Sequence, residues 1–214
     1  MQINAAAIWL NEVFASFDLA VSTAVHKLYP IAGGFLTPFF KFMSYLAYDG
    51  IPLILLAFVL MFFKKTRRFG TAMLAGLAVG ALLTNCVLKV LVARPRPFLD
   101  QSGPYYPMWL QVGQWMEVDK SFPSGHVTAA FAVSTAVYLV GDKRISWTAF
   151  IFGFLMAVAR IYLCVHFPSD VLGGMITGIV AGIIGTIIAQ KLPRKYYSFD
   201  FRKPRGGGKH ARIQ

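Results

Sequence analysis

Three polar clusters stand at the ends of strongly apolar runs: Lys89 with Arg96 seven residues on, then Pro123, Ser124, Gly125 and His126, then Arg160, His166 and Asp170. Cations bind anions, and imidazoles move protons or attack electrophiles. A lone lysine at the end of an apolar run would snorkel to the interface, and a lone histidine is more often a structural hydrogen-bonder. Arg160 is harder to place so quietly. It lies within FGFLMAVARIYLCVHF, where an unpaired guanidinium in a bilayer would cost about 2.5 to 3.5 kcal/mol. It should therefore face an anion or a carboxylate inside a helical bundle. Two histidines and three cations at one level make a site for an anion that can also be attacked and protonated.

Local sequence sharpens the anion. Ser124 directly precedes an apolar helical run, so it is placed to cap a helix whose first amides, beginning at Gly125, point into the cluster. A helix N-terminus attracts phosphate. Pro168 and Asp170 suit the first turn of the next helix, where proline lacks only an unneeded N–H and a carboxylate meets the helix dipole. Asp170 follows His166 by four residues. Besides capping, it can accept a hydrogen bond from one imidazole nitrogen, which sets the tautomer and leaves the other nitrogen free to attack.

The elements that must carry these residues are membrane helices. The chain has 214 residues, 57% of them apolar and only 14% charged, with a mean hydropathy of +0.58. Water on all sides would leave too much apolar area exposed, which excludes a soluble globule. At about 20 residues per crossing, the runs fit an all-α, integral membrane bundle of about six transmembrane helices. The predicted spans are 5–28, 51–63, 71–92, 127–140, 145–165 and 171–189, with a short, aromatic interfacial helix at 31–46. The first lacks the basic leader and cleavage pattern of a secretory signal and is expected to be retained. Residues 95–123 hold five Pro, two Gly and two Trp and read as the longest loop. Cys86 and Cys164 each lie in an apolar run, which supports neither a disulfide framework nor a cysteine-based zinc site. The glycines at 174, 178 and 182, with 76 and 80, recur every fourth residue and predict close helix packing, within the chain rather than across a dimer seam.

Charge predicts the orientation. The chain carries 21 Lys and Arg against 9 Asp and Glu, a formal net charge of +12. In a soluble protein this would raise nucleic acid as a partner; here the basic residues cluster at span ends and in the tail, so no nucleic acid is expected and anionic headgroups are. Placing the 64–68 KKTRR run in the cytoplasm also places GDKR at 141–144 and the C-terminal tail there, gathering 14 of the 21 basic residues on that side. Both termini are then cytoplasmic. The long loop and the HFPSD turn share the extracytoplasmic face. Two regions are expected: a membrane-embedded domain over 1–192 and a basic, flexible cytoplasmic tail over 193–214, where Gly206, Gly207 and Gly208 favour disorder.

The three motifs, K-x6-RP at Lys89 to Pro97, PSGH at Pro123 to His126 and R-x5-H-x3-D at Arg160 to Asp170, closely resemble the tripartite signature of the type-two phosphatidic acid phosphatase superfamily, which includes the vanadium haloperoxidases. Order and spacing match throughout. The resemblance implies that His166 is the nucleophile forming a phosphohistidine, that Asp170 orients it, and that His126 protonates the leaving oxygen and then activates water. It implies that Lys89, Arg96, Arg160, Ser124 and the Gly125 amide hold the phosphoryl oxygens. The doubled RPRP leaves Arg94 as an alternative to Arg96; the family spacing favours Arg96. The family usually has Ser where Ala159 stands, so one hydroxyl contact is expected to be missing. Three fixed cations can do the neutralising work that magnesium does elsewhere, so no metal and no cofactor are expected.

The expected partner is a membrane lipid phosphate in the bilayer. Analogy with compact bacterial members favours undecaprenyl diphosphate, with phosphatidylglycerophosphate or phosphatidic acid as alternatives. Trp109, Trp115, Tyr105 and Tyr106 could shape a lipid portal, although anchoring at the interface is the simpler role. Two other classes fit part of the pattern: a small anion transporter or channel, which would give flux without turnover, and a haloperoxidase, disfavoured because those relatives are soluble. Oligomeric state is left open.

Overall fold

The computed structural model describes residues 4–193, all-helical with no strand among them. The basic tail from 194 onward, and with it most of the predicted second region, lies outside the described residues. The helices are α1 (Ala5–Val13), α2 (Ala15–His26), α3 (Leu28–Tyr45), α4 (Ile51–Phe62), α5 (Arg67–Ala81), α6 (Lys89–Val92), α7 (Tyr105–Gln111), α8 (Gly125–Val140), α9 (Lys143–Ser146), α10 (Ala149–Tyr162) and α11 (Pro168–Gln190). Four helical stretches, Leu28–Phe62, Arg67–Leu99, Lys143–Tyr162 and Pro168–Gln190, are long and apolar enough to cross a membrane. The bent pair α1 and α2 makes a fifth if counted as one span, and α8 is a shorter apolar helix. Leu55, Leu56, Phe58, Val59 and Phe62 of α4 are exposed, as lipid-facing side chains must be.

Three departures from the sequence reading matter. The predicted first span is two helices bent by 62°, separated at Phe14, and polar residues on both sides of the bend, Asn11 and Asp18, reach the same arginine. The expected short helix at 31–46 belongs to the longer α3, which is kinked at Ala32 and packs on α10. The third span is not uniform either: between α5 and α6 it widens into a π-helical stretch, Leu82–Leu88. Such stretches are frequent at functional sites.

Helices α5, α8 and α11 form the centre of the bundle. Glycine permits their approach: a Cβ at Gly178 would lie 2.6 Å from the Thr128 carbonyl oxygen, one at Gly182 2.7 Å from that of Ala132, and one at Gly185 2.3 Å from the Gly76 nitrogen. The stripe therefore packs within the chain. Gly178→Ala is expected to destabilise the protein by about 1 to 3 kcal/mol through overpacking, whereas Gly34→Ala, with nothing within 4 Å of its Cβ, should not. Thermal unfolding in detergent checks the pair; equal melting temperatures for both variants would contradict the packing argument.

At one end of this centre the starts of α8 and α11 are joined, the Ser124 N–H donating to the Asp170 carbonyl at 3.1 Å. Pro168 opens α11, and the Phe167 N–H donates to the Asp170 carboxylate at 3.0 Å. On the neighbouring span, α6 stops where Ala93 turns left-handed (φ 49°), and the prolines of RPRP hold the following chain out of helix. These endings bring the three motifs to one level.

Candidate active site

A cavity of about 280 Å³ opens beside these helix ends, and Lys89, Arg96, Gly125, His126 and His166 line it. Lys89 starts α6 beyond the π-helical stretch, and a Cβ on Gly125 would lie 3.6 Å from its ammonium. Ser124 occupies the N-cap position of α8, yet its buried hydroxyl caps nothing and has no hydrogen-bond partner among the described residues. His126 Nε2 is likewise buried and unpartnered among the described residues, as are Arg160 Nε and Nη1. Unpaired buried polar atoms are costly unless a ligand satisfies them.

His166 lies just beyond α10, fully enclosed. Its Nε2 is 3.0 Å from Arg96 Nη1; a guanidinium only donates, so Nε2 must present its lone pair and Nδ1 must carry the proton. Nδ1 faces the Ser121 hydroxyl at 3.4 Å and Asp170 Oδ2 at 3.6 Å. The Ser121 hydroxyl in turn donates to Asp170 Oδ2. Burial, reinforced by the Arg96, Arg160 and Lys89 charges, depresses the imidazole well below its ordinary pKa. The ring is therefore neutral at pH 7, with its Nε2 lone pair held by Arg96 at the cavity lining.

Asp170 is itself held. Arg94, 1% exposed, donates from Nη1 to Asp170 Oδ1 (2.6 Å) and Ser169 Oγ (2.8 Å), from Nη2 to Asp18 Oδ2 (2.9 Å) and from Nε to Asn11 Oδ1 (2.8 Å). Asp18 also accepts from the Ser169 amide and hydroxyl, both at 2.7 Å. The two arginines of RPRP are thus divided. Arg96 faces the cavity; Arg94 faces away from it and ties α1 and α2 to α11.

The cations meet carboxylates that the motifs do not contain. Glu117 pairs with Arg160 and, at 3.4 Å, with Arg96; Asp119 pairs with Arg96 and Lys89. Burial pushes the Asp119 carboxyl up, but Arg96 and Lys89 outweigh it and hold its pKa below the usual value. Arg160 does face a carboxylate, as its apolar surroundings required. Among the described residues, no group of three His, Cys, Asp or Glu side chains is placed to hold a metal ion.

Of the residues singled out from sequence, five line the cavity. Arg160 is paired to the lining residue Glu117, and Ser124 directly precedes the lining Gly125, while Asp170 lies beside the His166 ring. Ala159 is buried in an apolar cluster with Phe40 and Tyr162. Sequence reasoning missed Asn11, Asp18, Ser121, Ser169, Glu117 and Asp119; for Asp18, an aspartate inside an apolar run was the available signal. The loop aromatics pack on one another and on the bundle: Trp109 is buried and stacks on Phe98 with centroids 4.9 Å apart, Tyr105 meets Phe167 edge-on, and Trp115 meets Tyr45. The loop is also partly helical, forming α7.

Comparison with known proteins places this geometry. Residues 65–194 match the PAP2 superfamily. The undecaprenyl-diphosphatase BcrC of Bacillus subtilis (strain 168) is 32% identical over 145 residues, covering 67% of this chain and 69% of the relative. Phosphatidylglycerophosphatase B of the same organism is 31% identical over 154 residues, covering 67% and 70%. Among solved structures, the transmembrane PAP2 type phosphatidylglycerolphosphate phosphatase from Bacillus subtilis superposes with a TM-score of 0.66 at 27% identity, covering 88% of this chain and 92% of that one.

Proposed function

From the premise that this chain belongs to the PAP2 superfamily and is a membrane lipid phosphatase of that type, we propose that it hydrolyses undecaprenyl diphosphate to undecaprenyl phosphate and phosphate. The observation that carries the chemistry is the His166 lone pair presented to a cavity that also holds the unpartnered His126 Nε2. His166 Nε2 attacks the terminal phosphorus. The N–P bond forms as the bond to the leaving oxygen breaks, and His126, entering as the imidazolium beside the bound phosphoryl anion, gives its proton to that oxygen and becomes neutral. His126 then takes a proton from water, which attacks the phosphohistidine and frees phosphate. Asp170 and Ser121 hold the Nδ1 proton throughout. Lys89, Arg96 and Arg160, with Ser124 and the Gly125 amide, neutralise and position the phosphoryl oxygens, the dominant requirement of phosphoryl transfer.

The substrate choice is supported by relatives named undecaprenyl-diphosphatase. Phosphatidylglycerophosphate is the second reading, supported by the structural likeness and by the relative named for that activity. The distribution of basic residues supports an extracytoplasmic site with cytoplasmic termini and a basic cytoplasmic tail.

Phosphate release by purified protein in neutral detergent, measured across undecaprenyl diphosphate, phosphatidylglycerophosphate and phosphatidate, tests the reading. The diphosphate is expected to give the highest kcat/KM. Activity should survive EDTA and be blocked by vanadate, which imitates the five-coordinate transition state. Loss of activity on chelation with recovery on adding a divalent ion would contradict catalysis by protein cations alone; anion flux without phosphate release would favour a channel.

A further inference from the structure

Between α7 and α8 the chain crosses the cavity as a strap. Gly113 (φ +91°) and Gln114 (φ 52°) turn it there. One end is pinned by Lys41, which donates to the Gly113 carbonyl at 3.2 Å, and by Trp109, whose indole N–H donates to the Trp115 carbonyl at 2.9 Å. At the other end the Ser121 N–H donates to the Arg94 carbonyl at 2.8 Å. Between these points the side chains alternate: Glu117 and Asp119 line the cavity while Val118 is fully exposed. Trp115 steers Glu117 by donating from Nε1 to its carboxylate at 3.0 Å.

All three cradle cations are paired to this strap, Arg160 to Glu117, Arg96 to both carboxylates and Lys89 to Asp119. Building on the proposed phosphate-binding role of those cations, we propose that Glu117 and Asp119 are a built-in competitor for the phosphoryl group, which sets the charge an incoming headgroup must bring. An anion entering the cradle displaces two carboxylates from three cations. A terminal phosphate carries nearly two negative charges and replaces them. A phosphodiester carries one and leaves the desolvated cations under-neutralised, which is unfavourable. The strap thus selects terminal phosphates against the phosphodiester headgroups of ordinary membrane lipids, by a penalty on the wrong ligand rather than a contact to the right one.

The test uses the full-length protein in uncharged detergent and titrates it calorimetrically with inorganic phosphate and with dimethyl phosphate. Wild-type protein is expected to bind phosphate and not dimethyl phosphate. Glu117→Gln/Asp119→Asn should bind phosphate about tenfold more tightly or better, about 1.4 kcal/mol, and should acquire measurable binding of dimethyl phosphate. Asp100→Asn, which neutralises an exposed carboxylate outside the cradle, should change phosphate affinity less than about twofold, as expected for a screened surface charge; a gain equal to that of the double variant would reduce the effect to net charge and overturn the proposal. Unchanged or weaker phosphate binding by the double variant would also overturn it and would make the carboxylates supports for the cations. The single variants Glu117→Gln and Asp119→Asn, each expected to show part of the gain, keep the test informative if the double variant does not fold; no gain in either overturns the proposal. Absence of phosphate binding by every protein, wild type included, would remove the cradle reading itself, a result distinct from failure of the strap alone.

Discussion

His166→Ala is expected to lower phosphate release by on the order of 10⁴-fold or more, to the background of the assay, while the protein still elutes as a folded species with near-wild-type melting temperature. The reason is geometric. Nε2 is the lone pair that Arg96 holds on the cavity side, and alanine leaves the phosphoryl group bound with nothing to receive it. His126→Ala should cost less, about 10² to 10⁴-fold, because a poor leaving group can still depart unassisted at a lower rate. Substrates with good leaving groups should narrow the His126 deficit and not the His166 deficit. Retention by His166→Ala of a tenth of wild-type turnover on any lipid phosphate would remove it as nucleophile. A His126 deficit independent of the leaving group would move that residue from proton transfer to binding.

The second large effect lies away from the reacting atoms. Arg94→Ala is expected to destabilise the protein by about 3 to 5 kcal/mol, since removing one partner of a buried ion pair strands the other. Here two carboxylates, Asp18 and Asp170, would be stranded, each at most 1% exposed. Arg94→Lys should recover little, because one ammonium cannot reproduce the four-way fork to Asn11, Asp18, Ser169 and Asp170. Activity should fall with stability, through loss of the support behind His166. Arg96→Ala should differ in kind, with a large loss of turnover and a smaller fall in melting temperature. Denaturation and kinetics on the same preparations separate them. Near-wild-type stability of Arg94→Ala, or equal effects of the two substitutions, would refute the division of labour within RPRP. Adding Asp18→Asn to Arg94→Ala should recover part of the lost stability by removing one stranded charge.

That division shows where sequence reading reached its limit. Arg94 and Arg96 are the same residue in the same dipeptide, and periodicity cannot separate them because the prolines end the helix before either. Motif spacing favoured Arg96, which is a lining residue of the cavity, whereas Arg94 is not. Nothing local, however, indicated that Arg94 would be enclosed by α1, α2 and α11. The bend that turns the predicted first span into two helices was equally silent, since its polar residues find their partner in a segment 76 to 83 positions away.

What the amino-acid sequence determined by itself was the solvent, the helices and the chemistry. Apolar runs of bilayer length admit few alternatives to helix, and a guanidinium and two imidazoles at the ends of such runs are too costly to be incidental. Only the tertiary structure decided the partners: Arg94 as the clamp on Asp170, Ser121 beside the His166 ring, and Glu117 and Asp119 across the cations. Pairing between charges depends on distance in space, and the hydrogen bonds that join these groups span 21 to 76 positions of chain. Chain order constrains such distances only weakly until the helices have packed.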